Sequence, residues 1–63
     1  MVKLTSMNGK EFILNAEHIE KIEEVPETII TLTNAKKYIV LETPEEVIDK
    51  VIKYKNRIFG MKL

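Results

Sequence analysis

Short alternating runs of apolar and polar residues open the chain. Between Val2 and Ser6, side chains of opposite character alternate, which is the period of a half-buried β-strand. A second run, Glu11 to Leu14, follows after a short polar interval. The dipeptide Asn8-Gly9 lies between the two runs and is a strong hairpin signal, because both residues tolerate positive φ. The pattern therefore predicts an antiparallel hairpin at the start of the chain.

Residues 15–25 support two interpretations. Apolar side chains recur at every third position, as on one face of a helix, but the stretch is short and Pro26 disfavours a helical conformation at Val25. In the first interpretation Asn15 caps a single turn, and an extended segment runs from His18 to Glu24. The second interpretation is one short helix. We favour the turn followed by a strand.

Two further runs, Thr28 to Thr33 and Lys37 to Glu42, are rich in residues that favour strands. Short connections precede them at Pro26-Glu27 and Asn34-Ala35. Both runs place apolar side chains on both faces of the predicted sheet. A single sheet under one helix has only one face to bury, so we expect another copy of the chain to cover the second face. The chain is accordingly predicted to form a homo-oligomer.

A helix is predicted to begin at Thr43-Pro44-Glu45-Glu46. Thr43 can accept a bond from the Glu46 amide while the Glu46 side chain reaches back to the Thr43 amide, and proline suits the first helical position. Gly60 is a suitable residue to end the helix. The predicted apolar stripe consists of Val47, Ile48, Val51, Ile52, Tyr54, Ile58 and Phe59.

These elements predict an α+β fold: a small antiparallel β-meander of four to five strands followed by one C-terminal α-helix. The strands occupy about residues 2–42 and the helix about residues 44–59, in a single domain spanning residues 1–63. A domain of this size has a small core and commonly needs a disulfide, a metal or oligomerisation for stability. The chain has no cysteine and one histidine, which excludes disulfides and a His/Cys metal site and leaves oligomerisation.

Composition excludes several functional classes. Ten basic and ten acidic residues cancel, which argues against a protein that holds nucleic acid by charge alone. There is no glycine-rich phosphate loop and no catalytic signature around the hydroxyl residues, so we predict a binding protein without enzymatic activity or cofactor. His18 is interpreted as a partly exposed residue rather than a general base. No apolar stretch is long enough to span a membrane, and a cytoplasmic location is expected.

Two charged groups are candidate partner-binding sites. An acidic group around Pro26 could meet a basic partner, although it also suits a solvated sheet edge. The C-terminal half of the helix is basic, which suits either a membrane surface or nucleic acid, or simple complementarity to the helix dipole. The candidate residues are Glu20, Glu23, Glu24, Glu27, Lys53 and Arg57. Lys50, Lys55 and Lys62 belong to the same basic group.

The run of residues, beyond its pattern, resembles a known family. Its most specific part is Ile22-Glu23-Glu24-x-Pro26-Glu27-Thr28-x-Ile30-x-Leu32-Thr33, preceded by Leu4-Thr5-x-x-Asn8-Gly9-Lys10-Glu11-Phe12 and followed by Lys36-Lys37-Tyr38-x-Val40-x-Glu42. Over about residues 1–58 the chain resembles the small flagellar FlbD family, also called the swarming motility SwrD family. Members usually have Gly where Ala35 stands. Because Ala disfavours positive φ, this turn is expected to differ in shape or to place the positive φ on Asn34.

The resemblance implies a cytoplasmic bacterial protein that supports flagellar and swarming motility through the motor or its stator. It implies protein partners, no enzymatic activity and no cofactor, and it transfers no binding residues. A different class remains open: a small RNA-binding regulator of the carbon storage regulator type, which has five strands and a C-terminal helix. The neutral charge favours a protein partner over nucleic acid, and the resemblance implies that this partner is a flagellar motor or other motility protein.

Overall fold

The computed structural model describes the backbone of residues 1–24 and 26–60 and the side chains of residues 1–24 and 26–58. Five antiparallel strands form two sheets and precede a single helix, so the predicted α+β class is confirmed. The elements are β1 (Val2–Thr5), β2 (Glu11–Leu14), a 3₁₀ turn (Ala16–His18), β3 (Ile19–Glu24), β4 (Thr28–Leu32), β5 (Lys37–Val40) and α1 (Pro44–Gly60).

The strands divide into a two-stranded sheet, β1-β2, and a three-stranded sheet, β3-β4-β5. The two sheets meet where β1 ends and β5 ends. A single bridge joins Ser6 to Val40, and the Leu41 amide donates to the Thr5 carbonyl at 2.9 Å. The simple meander expected from sequence is therefore interrupted between β2 and β3, and the first hairpin returns to the last strand.

The 3₁₀ turn and β3 resolve the ambiguity of residues 15–25. The side chain of Asn15 accepts a hydrogen bond from the Glu17 amide at 3.0 Å and caps the 3₁₀ turn. The chain then becomes extended and pairs with β4, with a bulge between Ile19 and Lys21. The predicted turn followed by a strand is confirmed, and the alternative of one short helix is wrong. Val25 lies outside the described residues.

The two hairpin loops have the same geometry. In the first, Gly9 donates to the Ser6 carbonyl at 2.9 Å, and the backbone of Ser6 pairs with Lys10. In the second, Ala35 donates to the Leu32 carbonyl at 2.9 Å. These bonds describe a three-residue loop that ends in a left-handed residue.

The left-handed positions of these loops are Gly9, with φ +85°, and Ala35, with φ +72°. The expectation that positive φ would move to Asn34 is therefore wrong. Asn34 instead accepts a hydrogen bond from the Lys36 amide at 3.0 Å, as Asn8 does from the Lys10 amide. Each asparagine stabilises its turn through its side chain, and the residue after it adopts the left-handed conformation, which is strained for Ala35 but not for Gly9.

The core lies between the inner faces of the sheets and one side of α1. Its fully buried centre consists of Leu4, Ile30, Val40 and Val47, which come from β1, β4, β5 and α1. The ring of Phe12 lies 5.5 Å from that of Tyr38 and links the two sheets over this core. The remaining buried apolar residues are Val2, Leu14, Ala16 and Leu32.

The helix begins as predicted. Thr43 donates its amide to Glu46 Oε1 at 2.8 Å, and the Glu46 amide donates to Thr43 Oγ1 at 3.1 Å. The predicted apolar stripe, in contrast, is wider than the surface that the sheets cover. Val47 is buried and Val51 and Tyr54 are half-buried, but Ile48, Ile52 and Ile58 are exposed. The side chain of Phe59 lies outside the described residues.

Candidate functional site

A cleft of about 230 Å³ lies at the end of the molecule where β3 turns into β4. We call it the acidic cleft; its lining residues are Met7, Glu24, Pro26, Glu27, Thr28, Val40, Leu41 and Thr43. Its apolar part includes Met7 and Leu41, whose exposures are 52% and 54%. Both carboxylates that line it belong to exposed residues. The cleft therefore offers negative charge beside uncovered apolar surface.

Of the four predicted acidic candidates, the structure brings only Glu24 and Glu27 together in this cleft. Glu23 lies directly opposite Ile29 in the β3–β4 register and therefore shares the outer face of the sheet with it. It also contacts Lys21 at 3.4 Å. Glu20 is exposed beside the bulge of β3 and does not line the cleft. Because successive side chains on β3 point to opposite faces of the sheet, the acidic residues that the sequence groups together do not all lie at one site.

The outer face of the three-stranded sheet carries an apolar row. The row consists of Ile29 on β4 and Ile39 on β5, which lie opposite each other, and Glu23 on β3 flanks it opposite Ile29. Ile39 is 42% exposed. The predicted presence of apolar residues on both faces is confirmed by this arrangement, and the predicted covering by another chain stays a prediction.

The predicted basic candidates Lys53 and Arg57 do lie together, in a second cleft of about 210 Å³ between the start of β1 and the C-terminal half of α1. We call it the basic cleft; its lining residues are Met1, Val2, Lys3, Lys50, Lys53, Tyr54 and Arg57. Lys53 also contacts Asp49 at 3.0 Å, one helical turn earlier. Lys55 belongs elsewhere, since it contacts Glu17 at 3.6 Å, and Lys62 lies outside the described residues.

Sequence reasoning missed Lys3 and Tyr54 in the basic cleft and Met7 and Leu41 in the acidic cleft. Lys3 is not among the candidates from the sequence, because no local pattern indicates that β1 packs beside a helix about fifty residues later. Met7 and Leu41 meet because the two sheets join at Thr5–Leu41. For Met7, the sequence offers one indication of a surface role, an apolar residue next to a tight turn.

Glu42 connects the two sheets near the helix start. Its carboxylate accepts the Thr5 amide at 3.0 Å and the Thr5 hydroxyl at 2.9 Å. Burial acts to raise the pKa of Glu42, but the two bonds from Thr5 and the charge of Lys50 lower it, and the resulting pKa is below the ordinary value of a glutamate. Glu42 therefore has a structural role as an ionised acceptor.

His18 is exposed, and its carbonyl accepts the Thr33 amide at 2.8 Å. Within the described residues, no three histidine, aspartate or glutamate side chains are arranged to hold a metal ion. The described helix is also not long and apolar enough to cross a membrane. Nothing in the geometry of these residues assigns His18 a chemical role.

Comparison with curated proteins and with solved structures found no significant match. A family model does match, over residues 1–59 of the 63 in the chain. Its description is that of flagellar and swarming motility proteins. The chain therefore belongs to the FlbD family, with a role in flagellar and swarming motility.

Proposed function

We propose that this chain is a non-enzymatic, cytoplasmic accessory protein that supports the flagellar motor or its stator by binding another protein of the motility machinery. Membership of a family described by flagellar and swarming motility supports the cellular role. The acidic cleft is the observation that carries the binding role. It combines the carboxylates of Glu24 and Glu27 with the exposed side chains of Met7 and Leu41.

The chemistry of the acidic cleft defines the partner surface that would fit it. Apolar contacts supply most of the affinity at a protein interface, while rim charges select the partner and speed association. Met7 and Leu41 would bind an apolar side chain, and Glu24 and Glu27 would face a lysine or arginine next to it. A partner segment with neighbouring basic and apolar residues meets both requirements.

The cleft is positioned by rigid parts of the fold. Met7 lies in the first hairpin loop, which hydrogen bonds among Ser6, Gly9 and Lys10 hold closed. Leu41 follows β5 and is tied to Thr5 through its amide. These contacts hold the backbone at both positions before a partner arrives, so little backbone entropy is lost on binding.

Motility of a deletion strain complemented with charge-reversed variants tests the proposal. The test variant is Glu24→Lys with Glu27→Lys, which reverses both carboxylates of the cleft. The matched control is Glu11→Lys with Glu20→Lys, which makes the same change in charge at two exposed acids that do not line the cleft. We expect loss of swarming and slower swimming for the cleft variant and near-normal motility for the control, at equal protein levels.

Undiminished swimming and swarming of the Glu24→Lys, Glu27→Lys strain at normal protein levels would reject the acidic cleft as the contact surface. Equal loss in both strains would indicate that total negative charge, and not this cleft, determines the effect. Leu41→Ser provides an independent check, since it removes exposed apolar surface from the cleft without altering charge.

A further inference from the structure

The two clefts lie at opposite ends of the helix. Thr43 lines the acidic cleft and Arg57 lines the basic cleft. At 1.5 Å per residue the fourteen steps between them correspond to about 20 Å along the helix. The chain as a whole is neutral, and the two clefts carry opposite charge, with two glutamates lining one and three lysines and an arginine lining the other.

The basic cleft has more positive charge than the helix requires. Complementarity to the helix dipole is confined to the last turn and therefore concerns Arg57, but not Lys50 or Lys53. Lys3 belongs to β1 and has no relation to the dipole. The nearby carboxylates compensate only in part, since Asp49 contacts Lys53 and Glu42 interacts with Lys50.

We propose that the basic cleft binds a phosphate group, carried by an anionic lipid headgroup or by a free phosphorylated small molecule. Four cationic side chains and the tyrosine Tyr54 line it. Arginine presents a planar set of donors that pairs two at a time with phosphate oxygens, and lysine adds mobile point charges. Together, the arginine and the lysines provide hydrogen-bond donors for the oxygens of a phosphate group.

The size of the cleft favours a compact ligand. Its volume of about 210 Å³ lies below the 300–1,000 Å³ typical of pockets for drug-sized molecules. A single headgroup-sized anion suits this space better than an extended acidic peptide. A long nucleic acid is also disfavoured, because about 20 Å along the helix it would meet the repelling carboxylates of the acidic cleft.

The helix dipole opposes this ligand, but weakly. An anion near a helix C-terminus is disfavoured by about 0.3–1 kcal/mol, and the effect is limited to the last turn. Lys3, Lys50 and Lys53 act from outside that turn.

The experiment uses the full chain, ¹⁵N-labelled and titrated with inorganic phosphate and glycerol 3-phosphate, together with co-sedimentation on two kinds of vesicle. One kind contains phosphatidylglycerol in phosphatidylcholine, and the other contains phosphatidylcholine alone. We expect amide shifts confined to residues 1–3 and 50–57. The test variant is Lys3→Glu with Arg57→Glu, and the matched control is Lys36→Glu with Lys37→Glu, two exposed lysines outside the cleft.

Binding that weakens about tenfold in the test variant but not in the control supports the proposal. Sedimentation with phosphatidylglycerol vesicles identifies the headgroup as the source, whereas binding of soluble phosphate compounds without sedimentation identifies a free molecule. No binding to either phosphate source would overturn the proposal, and so would an equal loss in the control. Tighter binding of an RNA oligonucleotide or a polyglutamate peptide would also overturn it. If circular dichroism shows the test variant unfolded, Lys3→Gln with Arg57→Gln replaces it under the same criteria.

Discussion

Thr5 donates both its backbone amide and its hydroxyl to the two carboxylate oxygens of Glu42, at 3.0 and 2.9 Å. These bonds lie beside the bond from the Leu41 amide to the Thr5 carbonyl, so Glu42 reinforces the junction between the two sheets. We expect Glu42→Gln to lower the free energy of unfolding by about 1 kcal/mol, because a partly exposed charged acceptor is replaced by a neutral one. Urea denaturation measures the change, with Glu20→Gln as the exposed control.

The stabilisation from Glu42 depends on pH in a defined direction. Its folded pKa lies below its ordinary value, so its contribution is fully present above the pKa of the unfolded chain and disappears as the pH falls through the folded pKa. The difference in urea midpoint between wild type and Glu42→Gln should therefore be largest at about pH 7 and should shrink progressively as the pH is lowered from about 5 to about 3. A difference that stays constant over this range would contradict the assigned role.

The hairpin loops allow a reciprocal test of backbone strain. Ala35 adopts φ +72°, a conformation that costs an L-residue about 1–2 kcal/mol, whereas glycine adopts it freely. Part of the gain from glycine is offset by the greater entropy of the unfolded chain. We expect Ala35→Gly to raise the free energy of unfolding by about 0.5–1 kcal/mol, measured by thermal and urea denaturation.

Gly9→Ala is the matched control for this effect. Gly9 occupies the equivalent loop position with φ +85°, and no atom lies within 4 Å of the Cβ that alanine would add. The substitution therefore introduces strain without a clash and should destabilise by a similar amount, about 0.5–1 kcal/mol. Opposite signs for the two variants support the argument, and a destabilising Ala35→Gly would contradict it.

The start of α1 offers a third prediction. Thr43 and Glu46 satisfy each other's amides, so Thr43→Ala should lower the free energy of unfolding by about 1 kcal/mol. Glu46→Ala should destabilise through the loss of the bond to the Thr43 amide, but Glu46→Gln should largely preserve it because its amide oxygen can accept the same bond. Denaturation of all three variants makes the comparison; equal losses for Glu46→Ala and Glu46→Gln would show that charge, and not the capping bond, matters.

The sequence predicts capping and turn hydrogen bonds wherever a few neighbouring residues form them. The cap of α1 at Thr43 and the turn at Asn15 followed from hydrogen bonds between near neighbours, and the structure has both. The division into two sheets was not readable, because the Ser6–Val40 bridge and the Thr5–Glu42 bonds join residues more than thirty positions apart. The alternation of apolar and polar residues predicts which face of a strand is buried, but it does not predict which distant strand a hairpin will contact.

The same limit applied to the candidate sites. Lys53 and Arg57 belong to the basic half of the helix that the sequence indicates, and both line the basic cleft, to which the structure adds Lys3 from a distant strand. Glu23 and Glu24 were grouped only because they are adjacent, although adjacent strand residues point to opposite faces. The sequence therefore indicates the charge of each candidate site, whereas strand pairing and helix packing determine which residues line it.

The apolar row on the outer sheet face supplies the last prediction, self-association. Ile39 is 42% exposed beside Ile29, and we expect a second copy of the chain to cover this row. In a symmetric dimer each substitution occurs twice, so Ile39→Lys places two charges in the interface and should reduce the solution mass to that of a monomer. Ile13→Lys is the control, since Ile13 is 65% exposed on the other sheet. Light scattering measures the mass; a monomeric wild type, or equal dissociation by both variants, would reject this face as the interface.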